Sequence, residues 1–131
     1  MKTLVIDTDR AIMDAVSAIF CKKGGCDWAE DGEKGLDMIK SAFKQGQPYD
    51  LIVLEIVLPE VSGYTIIKEV RNLELNMNIS PIDEVKIIVL TYRSDEPTLL
   101  QAFRNGATGW VSKPIDPTAL EAKINKLHWW S

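Results

Sequence analysis

The stretch of residues 49–59 is the feature that most constrains the fold of this chain. Residues 51–54 are continuously apolar, and the acidic residue Glu55 ends the run. A short apolar run without alternation is typical of a strand buried on both faces, as in parallel sheets covered by helices. Gly63 then interrupts the chain, and residues 64–70 are predicted to return as a helix. Glu55 is therefore expected at the carboxyl end of a central strand, where open parallel sheets bind ligands.

Four other short apolar runs alternate with helical patterns. The predicted strands are residues 3–6, 26–29 (a weak edge strand), 51–54, 85–90 and 108–112. The predicted helix starts are Asp9, Asp31 or Gly32, Tyr64, residues 94–97, and Asp116 or Pro117. Residues 72–84 are polar and lack a clear period, so they are interpreted as a helix end and a long loop. Parallel neighbours need right-handed helical crossovers, so these units predict an α/β fold with a doubly wound parallel sheet.

Composition and charge favour a single soluble domain spanning residues 1–131. A chain that is 46% hydrophobic and 26% charged can bury a real core at this length. The net charge of −4, without clustered Lys and Arg, argues against nucleic acid or an anionic membrane as a direct partner. With no signal peptide evident and no apolar run of membrane-spanning length, Cys21 and Cys26 are expected to be reduced and the location cytoplasmic.

Polar residues follow four of the predicted strands. They are Asp7, Thr8 and Asp9 after the first, Glu55 after the third, Thr91 after the fourth and Lys113 after the fifth. The carboxyl ends of parallel strands share one edge of the sheet, so these side chains are expected to converge there. Each also has an ordinary explanation alone, since Asp9 can cap a helix and Lys113 can be a solvated charge. Chance convergence explains the whole set poorly, so a functional site is predicted at this edge.

Several short motifs match one known family in order and spacing. They are LVID at 4–7, AEDG at 29–32, DLIVL at 50–54, LP at 58–59 with Gly63, VLT at 89–91, GA at 106–107 and KP at 113–114. On these motifs the chain resembles the CheY-like receiver domains of response regulators over essentially its full length. The resemblance implies a flavodoxin-like receiver fold, with a five-stranded parallel sheet in the order 2-1-3-4-5.

The resemblance also implies a metal site and a phosphoacceptor, and the chain departs from the family at both. In the family an acidic pair after the first strand holds Mg²⁺, and an Asp ending the third strand is phosphorylated. Here the pair is Asp7 and Thr8, followed by Asp9, whose side chain is expected to point elsewhere. A neutral Thr is a poor ligand for a hard dication, so Asp7 and Glu55 are expected to form a weak or absent Mg²⁺ site. No cofactor is therefore expected to be required.

The phosphoacceptor position is occupied by Glu55. Its extra methylene moves the carboxylate about 1.3–1.5 Å outward compared with Asp. Phosphoryl transfer needs in-line geometry, which a misplacement of roughly 1 Å already damages severely. Ordinary phosphorylation is therefore not expected, and the chain is interpreted as an atypical receiver, or pseudo-receiver.

The remaining family positions predict a signalling output. Thr91 and Lys113 match the residues that bind phosphoryl oxygens, and Trp110 matches the aromatic switch on the fifth strand. In the family, this aromatic residue transmits the change at the phosphorylation site to the face made by helix 4, strand 5 and helix 5. Through this face the chain is expected to bind signalling proteins, and a homodimer is left open. Lys113 is also expected within about 4 Å of Glu55, as a partly screened ion pair worth about 0–1 kcal/mol.

Two rival functions remain open. One is a phosphorylation-competent receiver of a two-component phosphorelay that uses Glu55 or another acceptor. The other is a small Asp-x-Asp phosphatase with Asp7 as nucleophile and Asp9 as general acid, although the sequence has no later acidic pair to complete its metal site. The chain is expected not to be an enzyme. His128 is interpreted as a surface or half-packed residue, and Trp129 with Trp130 either folds back over the core or forms an exposed patch for partner docking or dimerisation.

Overall fold

The computed structural model describes residues 2–20, 25–92 and 95–126 of the chain. Within these ranges the strands are β1 (Thr3–Ile6), β2 (Cys26–Ala29), β3 (Leu51–Glu55), β4 (Lys86–Thr91) and β5 (Gly109–Ser112). The helices are α1 (Arg10–Phe20), α2 (Gly32–Lys44), α3 (Gly63–Asn76), α4 (Glu96–Asn105) and α5 (Pro117–Asn125), with a short 3₁₀ helix at Pro81–Asp83.

The strands form one sheet in the order β2-β1-β3-β4-β5, and the neighbouring strands pair in parallel. This topology confirms the predicted doubly wound α/β fold and its strand order. β2 is an edge strand, as the weak pattern of residues 26–29 predicts. Parallel pairing places the carboxyl ends of the strands at a common edge, which positions the candidate site.

The core has two layers, one on each face of the sheet. Successive strand residues point to opposite faces, so Leu4 and Leu54 pack in one buried cluster and Val5 and Val53 in the other. Leu120 from α5 joins the second cluster, where it is fully buried. All residues of β3 are buried, which confirms that the central run is covered on both sides.

Acidic side chains begin several helices, as the sequence predicts. The Asp31 carboxylate accepts from Lys34 N at the start of α2, and Asp95 accepts from Thr98 N at the start of α4. Asp9 accepts from Ala11 N in the first turn of α1. Such caps satisfy amides that have no partner within the helix. The helix starts predicted from these residues are therefore confirmed.

The segment of residues 72–84 contains the end of α3 and then a loop with a short 3₁₀ helix, as the prediction of a helix end and a long loop has it. α3 continues to Asn76, because Glu74 is buried and has tertiary partners. Its carboxylate lies 2.6 Å from Arg71 Nη1 and accepts from Val85 N at 2.6 Å. Arg71 in turn donates to the carbonyls of Val85 and Gly106. This network, the α3 staple, joins the end of α3, the start of β4 and the turn after α4.

Several sequence-based expectations fall outside the described residues. They concern Cys21, Ser94 at the predicted start of the fourth helix, the side chain of Ile124 together with Leu127, which are predicted to face inward from the last helix, and His128, Trp129 and Trp130. The expectations of reduced thiols and of a single domain over residues 1–131 therefore stay predictions. Of the helices that the described ranges contain, none is both long and apolar enough to cross a membrane.

Candidate functional site at the strand ends

Three charged side chains converge at the carboxyl edge of the sheet. Asp7 directly follows β1, Glu55 is the last residue of β3, and Lys113 directly follows β5. We call these residues the pocket triad. Lys113 Nζ lies 2.6 Å from Asp7 Oδ2 and 3.5 Å from Glu55 Oε2. The expected approach of Lys113 to Glu55 is confirmed, and Asp7 is the closer of its two partners.

The pocket triad is more enclosed than the sequence predicts. The side chains of Asp7, Lys113 and Glu55 are 1%, 4% and 10% exposed. The expectation of a partly screened pair at an open edge is therefore wrong, because neighbouring strand ends and loops exclude solvent from these groups. The 0–1 kcal/mol expected for an exposed pair does not apply here, because burial strengthens the attraction between the charges but also penalises the charged form of Glu55.

Burial also changes the acidity of Glu55. Loss of solvent raises the pKa of this carboxyl above its ordinary value, because burial penalises the charged form. The ammonium of Lys113 opposes this shift, and the nearby Asp7 charge adds to it. The ion pair at 3.5 Å is thus not close enough for its attraction to overcome the loss of water.

Thr91 is linked to the pocket triad through the backbone. It ends β4, is almost fully buried, and its carbonyl accepts from Lys113 N at 2.9 Å. This hydrogen bond fixes the ends of β4 and β5 beside each other. Thr91 thus lies at the edge where the resemblance expects it, while its role in binding phosphoryl oxygens stays a prediction.

The other two residues predicted for the acidic pocket lie outside the pocket triad. Thr8 and Asp9 are exposed, and the Asp9 carboxylate caps α1 by accepting from Ala11 N. The Asp9 amide donates to Asp7 Oδ1, which fixes the Asp7 carboxylate in place. The expectation that Asp9 points elsewhere is confirmed. A phosphatase with Asp9 as general acid is not favoured, because this carboxylate is already used as a helix cap.

The residues at the strand ends do not fit a Mg²⁺ site. Mg²⁺ prefers near-octahedral coordination by oxygen, and the candidate side-chain ligands are Asp7 and Glu55. The ammonium of Lys113 already lies against both of them. Within residues 2–20, 25–92 and 95–126, no group of three or more His, Cys, Asp or Glu side chains is arranged to hold a metal ion.

Two aromatic residues near the pocket triad were missed in the sequence. The ring centroid of Tyr92 lies 5.4 Å from Lys113 Nζ, within the range of cation–π attraction. Tyr92 directly follows Thr91, so its position at the strand end could have been recognised. The indole of Trp28 donates to the main-chain carbonyl of Asp7 at 2.9 Å. This contact between β2 and the end of β1 has no local sequence signal.

Trp110 lies within β5, three residues before Lys113. It is half-buried and packs against the core cluster that includes Val89 and Ala102. It also lines a groove of about 390 Å³ with Ala119 and Lys123. The predicted switch residue therefore lies on β5 and lines a groove together with residues of α5, both elements of the predicted output face, and its switching role stays a prediction.

A doubly wound parallel sheet with an acidic and lysine-containing pocket at its strand ends defines a receiver-type protein. The response regulator receiver domain model matches residues 3–125, and the chain belongs to this family. Receivers of this family work with signalling proteins as partners.

Relatives and solved structures agree with this assignment. The transcriptional regulatory protein DltR of Streptococcus agalactiae is 33% identical over 125 residues, which are 95% of this chain and 50% of DltR. AfsQ1 of Streptomyces coelicolor is 30% identical over 92% of this chain and 48% of its own length. The chain thus spans about half the length of these curated relatives. A two-component response regulator from Clostridium difficile superposes with a TM-score of 0.80 at 27% identity, covering 98% of this chain and 95% of that one.

Proposed function

We propose that this receiver is atypical and signals by protein contact without ordinary phosphorylation. The observation that carries the proposal is Glu55, which stands at the phosphoacceptor position and already faces the ammonium of Lys113. A carboxylate in this position occupies part of the space that a phosphoryl group needs. We further propose that the module has no catalytic activity and needs no cofactor. The cytoplasmic location expected from the sequence stays a prediction.

The reactive geometry supports this proposal. A Glu carboxylate lies about 1.3–1.5 Å farther from the backbone than an Asp carboxylate. Glu55 Oε2 lies 3.5 Å from Lys113 Nζ, the group that would have to bind the incoming phosphoryl oxygens. A phosphoryl donor would therefore have to displace this contact and approach a shifted nucleophile in line. Both requirements oppose acyl-phosphate formation.

The output is proposed to pass through the face of α4, β5 and α5. Leu100 and Phe103 on α4 are each 43% exposed, although they are large apolar side chains. Leu100 lines a groove of about 470 Å³ with Glu96 and Arg104, which gives the surface charges of both signs. Mixed charge around apolar groups suits a protein partner better than a nucleic acid backbone. A signalling protein or a second copy of the chain could bind this face.

Acetyl phosphate labelling tests the absence of phosphorylation. The native chain is expected to remain unlabelled, whereas a variant that combines Thr8→Asp with Glu55→Asp restores both family positions and should become labelled. The Thr8→Asp variant is the matched control, because it adds the acidic residue but keeps Glu55. Stoichiometric labelling of the native chain that disappears in Glu55→Gln would contradict the proposal.

The alternative of a competent receiver is favoured by a specific observation. Asp7, Thr91 and Lys113 are all buried at the strand ends, where the family keeps its metal-binding and phosphoryl-binding groups. If this alternative is correct, the native chain will be labelled and the label will map to Glu55 or to another residue of the pocket. The same labelling experiment therefore separates the two functions.

A further inference from the structure

Large apolar side chains are exposed in one short segment between α3 and β4. Among the residues that the structure describes, seven large apolar side chains are exposed, and three of them lie between positions 75 and 82. Leu75, Met77 and Ile82 are 75%, 47% and 83% exposed. Single exposed apolar residues are ordinary, whereas several that project from one segment indicate an interaction site. We call residues 75–84 the apolar loop.

The α3 staple closes the apolar loop at its two ends. Glu74, directly before the loop, accepts from Val85 N, directly after it, at 2.6 Å. Between these ends, Ile79 packs against the core and its amide donates to the Glu74 carbonyl at 3.0 Å. The 3₁₀ turn is closed by Asp83 N, which donates to the Ser80 carbonyl at 2.8 Å. The exposed apolar side chains are therefore presented by an ordered backbone, so a partner that binds them pays little for ordering the chain.

The charges around the apolar loop are negative. Asp83 is exposed, the Glu84 side chain is 39% exposed, and residues 72–84 contain no Lys or Arg. The carboxyl end of α3, which carries a partial negative charge, lies in the loop and has no basic residue in its last turn. Arg71, which precedes the loop, is engaged by Glu74 at 2.6 Å and only loosely by Glu84 at 3.9 Å. Apolar groups beside such negative charge fit a partner surface that carries Lys and Arg around apolar side chains.

The same charges disfavour other occupants of the apolar loop. Two copies of the chain that met through this loop would bring its carboxylates together, and like charges across an interface repel. An anionic membrane or a nucleic acid backbone would be repelled in the same way. A basic protein surface is the occupant that both the apolar side chains and the charges fit.

We propose that the apolar loop is a second protein-docking surface, whose partner presents apolar side chains flanked by Lys and Arg. The loop directly precedes β4, so it lies at the amino edge of the sheet, opposite the edge that carries the pocket triad. It is also separate in the chain from Leu100 and Phe103 on α4, the exposed apolar groups of the proposed output face. The inference goes beyond the proposed function, because it depends neither on the pocket triad nor on that face.

The test uses a short amphipathic peptide of Leu and Lys as the probe, because this peptide carries the apolar and basic chemistry of the proposed partner. NMR titration of the isotopically labelled full chain should give saturable shifts of the amides of residues 75–84. Leu75→Gln combined with Ile82→Gln should raise the Kd of the peptide at least about tenfold, because both apolar contacts are lost. Asp83→Asn combined with Glu84→Gln should raise the Kd about threefold and weaken its dependence on salt.

Leu100→Gln combined with Phe103→Gln is the matched control, since it removes two exposed apolar side chains from α4 and leaves the apolar loop intact. This variant should bind the peptide with the native Kd, and a peptide of Leu and Glu with the same pattern should not bind the native chain. The inference is overturned if the native chain shows no saturable binding, if the loop variants bind as the native chain does, or if the Leu and Glu peptide binds equally well. Sedimentation that shows a native dimer, lost in Ile82→Gln, would assign the loop to a second copy of the chain and would also overturn it.

Discussion

The α3 staple gives a sharp prediction about stability. Replacing Glu74 by Ala removes the partner of Arg71 Nη1 and of Val85 N, both at 2.6 Å. Removing one partner of a buried ion pair costs about 3–5 kcal/mol, and part of this cost is the unsatisfied buried amide. Arg71 is 19% exposed and keeps its hydrogen bonds to the carbonyls of Val85 and Gly106. We therefore expect the lower end, a loss of about 3 kcal/mol in the free energy of unfolding.

Urea denaturation followed by circular dichroism measures this loss. Glu84 is the matched control, because it approaches the same Arg71 Nη1 at 3.9 Å but its side chain is 39% exposed. Glu84→Ala should change the free energy of unfolding by less than about 0.5 kcal/mol. Glu74→Gln keeps an oxygen for Val85 N and should lie between the two. Equal losses for Glu74→Ala and Glu84→Ala would refute the reasoning from burial.

Three further perturbations test the site and its supports. Because burial raises the pKa of Glu55, the contribution of this carboxyl to the free energy of unfolding should be fully present below pH 4.5, the ordinary value for a Glu carboxyl, and be lost as pH rises through the raised pKa of the folded state; the difference in stability between the native chain and Glu55→Gln, measured in urea titrations at several pH values, should follow this loss. Gly63→Ala should lower the melting temperature, since its Cβ would lie 2.7 Å from Glu55 O, whereas Gly46→Asn, at a φ of +71° with open space around it, should be tolerated. In partner-binding assays, Trp110→Ala should weaken binding more than Glu55→Gln, because Trp110 lies on β5 of the proposed output face; the reverse order would make the charge of Glu55 the main determinant of binding.

The central strand and the strand-end site could be predicted because their signals are local. Residues 51–54 form an unbroken apolar run, and the structure buries every residue of β3. Once the strands are parallel, residues that follow them must share one edge, so Asp7, Glu55 and Lys113 could be brought together from sequence order alone. Asp9 and Asp31 could be recognised as caps because capping depends on residues within one turn.

The parts that could not be predicted depend on contacts between distant residues. In the sequence, Glu74 resembles an ordinary polar residue near the end of a helix. Its buried position is stabilised by a hydrogen bond from Val85 N, eleven positions later in the chain. The closer approach of Lys113 to Asp7 than to Glu55 depends on side-chain conformation and on the spacing of three strand ends. Sequence order places these groups at one edge, but it does not fix distances of 2.6 and 3.5 Å or the degree of enclosure.

The enclosure of the pocket triad makes its charges insensitive to ionic strength. At about 0.15 M salt the Debye length is about 8 Å, and mobile ions weaken charge pairs that they can surround. The pair of Lys34 and Glu30 is open to such ions, since its groups lie 3.9 Å apart with side chains 56% and 62% exposed. Lys113, at 4% exposed, leaves little room for a mobile ion beside it. The conformation that the pocket triad holds should therefore stay the same in dilute and concentrated salt, while the pairing of Lys34 with Glu30 should fade.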